Sequence, residues 1–142
     1  GGHLVGLLAT AGEGAGLEES PLAGSGARLQ AAVLGGAPIA LDRLPANFAV
    51  ERLLGAGPAE RPDLYARASP LTFVTPDDPP MFLYHGASDW IVDRSQPRLL
   101  QEALQRAGVR NTLYEAPGGH VFTFLRDEEV VSRAIDFLDG AL

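Results

Sequence analysis

Four consecutive apolar residues, Met81-Phe82-Leu83-Tyr84, stand directly behind a turn sequence, Asp77-Asp78-Pro79-Pro80, and just ahead of Gly86. A run this short, apolar at every position and bounded by turn formers, is the mark of a strand buried on both faces. Behind it Leu99, Leu100, Ala103, Leu104 and Ala107 fall on one helical stripe that Gly108 stops. Asp93 or Ser95 is the expected cap of that helix, and Pro97 fits there because it falls in the first turn, where amide donors lack partners anyway. Asn111 to Ala116 (NTLYEA) then forms a second strand. A strand, a crossover helix and a strand imply parallel pairing, so the fold class is α/β, with helices on both faces of a parallel sheet.

The flanking segments fit that frame. Leu4, Leu7, Leu8 and Ala11 have helical spacing and predict a short apolar helix ending near Gly12. Gly12 to Gly26 is a Gly-rich loop carrying Glu18 and Glu19, and Leu29 to Leu34 (LQAAVL) predicts a buried strand closed by Gly35-Gly36. Between Pro38 and Asp78 the pattern is one of short helices and loops. Asn47 to Leu54 ends on Gly55, and Pro62 to Ala68 precedes Ser69-Pro70. A final helix carries Val130, Val131, Ala134, Ile135 and Leu138 on one face, with Asp127, Glu128 and Glu129 at its favourable N-terminal end. About three strands are few for a parallel sheet covered on both sides, so the pattern describes part of a sheet.

Composition narrows the chemistry. The 142 residues are 46% hydrophobic and 20% charged, as a globular domain is, and no apolar run approaches the ~18–20 residues that cross a bilayer. Nothing at the start has the pattern of a signal peptide. The net charge of −7 disfavours a nucleic-acid module, which normally carries a basic face. With no cysteine, disulfides and thiol catalysis are excluded; with no lysine, so are Schiff-base chemistry and a P-loop lysine.

Catalytic groups in open parallel sheets collect at the carboxyl ends of the strands. Two loops hold that position: His85-Gly86-Ala87-Ser88-Asp89 after the first strand described above, and Pro117-Gly118-Gly119-His120 after the second. Asp89 and His120 are about one βαβ unit apart. On neighbouring strands ~4.8 Å apart, a carboxylate–imidazole hydrogen bond between them is within reach. Such a carboxylate fixes the imidazole tautomer and stabilises the imidazolium formed when histidine takes a proton from a nucleophile. Asp93 is the rival acid, with helix capping as its ordinary reading. His3 and His85 read as local packing and strand-end residues, and the spacing of His3, His85 and His120 does not suggest a metal site. Gly24-Ser25-Gly26 and Gly35-Gly36 have no phosphate-loop context, and Ala23 spoils any nucleophile-elbow reading of Ser25. Trp90, beside Asp89, either lines an acyl pocket or covers the core edge. No cofactor is expected.

Gly1-Gly2-His3-Leu4 ahead of an apolar helix resembles the end of the nucleophile elbow (G-x-S-A-G-G-H-L) of α/β-hydrolase esterases and lipases. The segment Ala68-Ser69-Pro70-Leu71, the run from Asp77 to Gly86, Asp89-Trp90-Ile91-Val92 and Pro117-Gly118-Gly119-His120 are similar to the same family. The resemblance covers nearly all of the chain. It implies a Ser, Asp, His triad in chain order, with Asp89 as the acid and His120 as the base. The nucleophile would lie two residues before the position that Gly1 matches, outside these residues. Residues 1–142 would then be the C-terminal part of one α/β-hydrolase domain, with the N-terminal half absent and three of the family's usual eight strands present. The sequence departs from the pattern at Gly36-Ala37-Pro38-Ile39-Ala40, where the family often has Tyr-Gly-Pro-Thr-Asp, at Asp93 in place of Pro, and at Val121 in place of Gly. These departures bear on substrate preference.

Two classes of function follow. The first is a serine hydrolase acting on small carboxylic esters, with a peptidase or amide hydrolase as its nearest rival because fold and triad do not fix the acyl group. The second is a non-catalytic fragment or half-domain that needs a partner chain. Across the two readings the expected partners are a small-molecule ester substrate and the missing N-terminal half or a partner chain, with homo-oligomerisation a further alternative.

Overall fold

In a computed structural model of the chain, residues 1–12, 15, 28–44, 48–126 and 128–142 are described, residues 124–126 by backbone alone. Three strands pair in parallel in the order β1 (Ala32–Gly35), β2 (Met81–Gly86), β3 (Asn111–Ala116). The register sets Ala32 opposite Met81 and Met81 opposite Asn111, and carries through to Gly86 opposite Ala116. Met81, Phe82 and Leu83 are buried on both faces of the sheet, as their unbroken apolar run requires.

β1 starts three residues later than the expected strand at Leu29. The first of its amides to meet the ladder is that of Ala32, which donates to Pro80 O at 2.9 Å, while Leu29 stays exposed. It also runs on through Gly35, where a side chain would collide with the Tyr84 ring lying across it. The backbone then turns at Gly36 with φ +53°, a conformation that glycine adopts at little cost.

Both faces are covered. On one, Ala9 of α1 (Gly2–Thr10) and Leu100 and Leu104 of α4 (Ser95–Ala107) join Leu34, Met81 and Leu83 in a single core. Burying each of those two leucines contributes about 1.5–3 kcal/mol. On the other, Phe82 meets Phe137 of α6 (Glu128–Asp139) at a ring separation of 5.8 Å. Two short helices, α2 (Phe48–Leu54) and α3 (Pro62–Arg67), and 3-10 turns at Leu41–Arg43 and Pro70–Phe73 fill the connection from β1 to β2. Asn47, the expected start of α2, and most of the Gly12–Gly26 loop lie outside the described residues.

Two expectations are corrected. The leucine stripe of α1 is not its buried face: Leu4 and Leu8 are 63% and 71% exposed, whereas Gly6, Ala9 and Thr10 are buried. Close backbone approach decides this, since a Cβ on Gly6 would lie 3.0 Å from Pro70 Cγ and 3.2 Å from a Leu34 methyl. Thr10 completes the contact by sharing its hydroxyl proton between Gly6 O and Pro70 O, both at 3.0 Å. At the other end of the chain a separate helix, α5 (His120–Arg126), stands between β3 and α6, where a loop was expected.

Candidate active site

β2 and β3 end side by side, and their following loops are tied together by backbone bonds. Ala87 N–H donates to Ala116 O at 2.8 Å, and Ser88 N–H donates to Gly118 O at 2.9 Å. At Gly86 the two segments approach closely: a Cβ there would lie 2.7 Å from Gly118 O and 2.9 Å from Thr123 Oγ1. Gly118 turns the second loop with φ +100°, outside the range of ordinary side-chain-bearing residues. His120 follows as the first residue of α5.

This framework brings Asp89 and His120 together. His120 Nδ1 donates to Asp89 Oδ2 at 2.7 Å; the Asp89 side chain is wholly buried and that of His120 is 26% exposed. The other carboxylate oxygen, Oδ1, accepts the Ile91 and Val92 amides at 2.9 and 3.0 Å, so the loop folds around the carboxylate. A buried carboxylate needs such partners, because burying an unpaired charge is prohibitively costly. The proton on Nδ1 leaves the lone pair of the His120 ring on Nε2, the tautomer suited to accepting a proton there.

The remaining candidates separate by their contacts. Asp93 turns away to the start of α4, where its Oδ1 accepts the Ser95 amide at 2.8 Å. Hydrogen bonding by Ser95, from its hydroxyl first and its amide second, holds the Asp93 carboxyl below the usual carboxylate range. His3 Nε2 donates to Ala68 O at 2.7 Å, fastening α1 to the end of α3. His85 is 1% exposed and donates from Nε2 to Val92 O at 2.8 Å, with Asp89 Oδ2 at 3.5 Å from the same nitrogen. Trp90 is 86% exposed and covers no core edge. Ile91, Val121 and Phe122, which like Trp90 follow Asp89 or His120 closely in sequence, are exposed as well. Among the described residues no group of three or more His, Asp or Glu is placed to hold a metal ion. Ser25 lies outside the described residues.

Sequence reasoning missed Gly86 and Thr123. The signal for Gly86 was a glycine at the last position of an apolar strand, which marks close backbone approach. Thr123, 3% exposed with its hydroxyl on Gly119 O at 3.0 Å, carries no comparable signal.

This arrangement, a parallel sheet with an acid and a histidine on the loops after adjacent strands, has the α/β-hydrolase form. The BD-FAE family model matches residues 1–104, and the chain belongs to that α/β-hydrolase-type esterase family. Over 84 residues it is 33% identical to Esterase LipQ of Mycobacterium tuberculosis, covering 56% of this chain and 20% of that protein. Among solved structures, an acetyl ester-xyloside bifunctional hydrolase from Caldicellulosiruptor lactoaceticus superposes with a TM-score of 0.80 at 26% identity, covering 98% of this chain and 53% of that one. The apo form of Thermogutta terrifontis esterase 2 gives 0.74 at 26% identity, covering 98% and 52%. The chain thus spans about half the length of these solved structures and a fifth of the curated relative.

Proposed function

We propose that these residues form the C-terminal part of a carboxylic ester hydrolase acting on small esters. Asp89 and His120 are two members of its triad, and a serine outside these residues is the third. The observation that carries the reading is the 2.7 Å bond from His120 Nδ1 to a wholly buried carboxylate at the carboxyl ends of neighbouring parallel strands. Membership of an esterase family supports the reaction class.

In this mechanism the serine oxygen attacks the ester carbonyl carbon while His120 Nε2 takes the hydroxyl proton. The imidazolium, stabilised by Asp89, then gives that proton to the departing alkoxide, and water repeats the cycle on the acyl-enzyme. The chain itself supplies base and acid. The nucleophile and the N-terminal half of the domain are its required partners, and no cofactor enters the scheme.

Hydrolysis of a short-chain p-nitrophenyl ester by the protein that carries these residues together with its nucleophile tests the reading. His120→Ala should abolish all but a trace of turnover, and retention of more than a third of the wild-type rate would sink the assignment. An anilide analogue run alongside separates ester from amide preference.

A further inference from the structure

We infer that His85 is a positioning residue for Asp89, acting through its Nε2–H on the carboxylate that holds His120; the inference rests on the triad reading above. His85 sits inside β2, four residues before Asp89, with its imidazole 1% exposed. Its Nε2 lies 2.8 Å from the Val92 carbonyl oxygen, an atom that can only accept, so the proton of a neutral ring is on Nε2. The same nitrogen is 3.5 Å from Asp89 Oδ2, the oxygen that also receives His120 Nδ1–H. Nδ1 of His85 is buried and has no hydrogen-bond partner among the described residues.

A strand-end histidine serving only as filler would not need this arrangement, because an apolar residue of equal size would spare a buried ring nitrogen its desolvation. The ring instead pins Val92, whose amide already grips Oδ1, and keeps its Nε2 3.5 Å from Oδ2. The Asp89 carboxylate is thereby held from both sides, and its Oδ2 stays aimed at His120. With no acceptor for an Nδ1 proton among the described residues, the geometry favours a single donor on this ring, so two imidazoles share one carboxylate with distinct tasks.

The test uses the protein that carries these residues with its nucleophile. His85→Leu keeps the volume and removes the donor, whereas His85→Gln places an amide N–H where Nε2 stood. The leucine variant should lose about 10- to 100-fold in kcat, the scale of a misplaced catalytic group. KM should stay within about three-fold, because no substrate contact is removed. The glutamine variant should recover kcat to within about five-fold of wild type. The downfield proton resonance of His120 Nδ1–H should persist in the glutamine variant and be lost or moved in the leucine variant. A purely structural role would lower thermal stability in both and leave that resonance unmoved.

In the wild type the ring nitrogens of His85 should show a pyrrole-type Nε2 and a pyridine-type Nδ1 by 15N NMR. A proton on Nδ1 overturns the inference even if His85→Leu does not fold. So does a folded leucine variant with kcat within three-fold of wild type, or a folded glutamine variant as impaired as the leucine one. His120→Ala run in parallel separates the two levels. If it stays active, the triad reading itself fails and the role of His85 falls with it. If it is inactive while His85→Leu is not, only the positioning role fails.

Discussion

Asp89 does two jobs with its two oxygens, and substitutions can separate them. Oδ1 holds the Ile91 and Val92 amides and so shapes the loop; Oδ2 holds His120. Asp89→Asn keeps a carbonyl oxygen for one task but turns the amide nitrogen, a donor, toward another donor, so the His120 tautomer is no longer fixed. We expect a fall in kcat of about 10⁴-fold with little change in Tm. Asp89→Ala should fall as far in kcat and also lose thermal stability, because the Ile91 and Val92 amides lose their shared acceptor. Asp93→Ala is the control for the rival carboxylate. It should lower Tm slightly through the lost Ser95 bond and leave kcat within a few-fold, since Asp93 bonds Ser95 at the start of α4 while His120 bonds Asp89. Steady-state kinetics and thermal melts of the three variants check these outcomes, and a large loss of kcat in Asp93→Ala would reverse the assignment of the acid.

At the scale of elements, two glycines that look alike in sequence do different work. Gly108 ends α4 with φ +76° and has open space around the missing side chain. Gly108→Ala should therefore cost only backbone strain, roughly 1–2 kcal/mol, with kcat unchanged. Gly86 has no positive φ, yet a methyl there would press against Gly118 O, Thr123 Oγ1 and the Gly119 carbonyl carbon. Gly86→Ala should push the two loops apart and lower kcat by an order of magnitude or more as well as Tm, since small misplacements of reacting groups are expensive. Denaturant unfolding with kinetics distinguishes the two patterns. The same contrast explains what the sequence makes legible. β2, α4 and β3 are readable because apolar runs, a helical stripe and a stop glycine agree with one another, and the approach of Asp89 to His120 follows from parallel neighbours. The buried face of α1 is not readable from hydrophobicity, because tertiary packing there selects small residues over leucine. α5 is hidden because Val121 and Phe122 face outward while the residue that anchors it, Thr123, is polar.

For the molecule as a whole, the surface left by this packing argues for association. In the described sheet β1 pairs only with β2, so its other side is an edge with unpaired backbone groups. Next to it α1 presents Leu4 and Leu8, each more than half exposed, and its contacts with β1 are made through Gly2, Gly6 and their neighbours. An open strand edge flanked by exposed leucines is a template for further pairing. Related solved structures roughly twice as long hold a similarly folded part within a larger chain. Produced alone, the 142 residues should therefore elute in light-scattering chromatography as dimers or larger species, and should not turn over a p-nitrophenyl ester. Leu4→Glu with Leu8→Glu should shift the distribution toward monomer, because both side chains already face outward and charge there opposes edge pairing without touching the core. Leu100→Ala, by contrast, removes a fully buried side chain and should cost about 2–5 kcal/mol without relieving association. A stable monomer from the unmodified chain would show that the β1 edge and α1 face are self-sufficient. Ester turnover by that material, abolished by His120→Ala, would place the nucleophile within these residues and overturn the division of the triad.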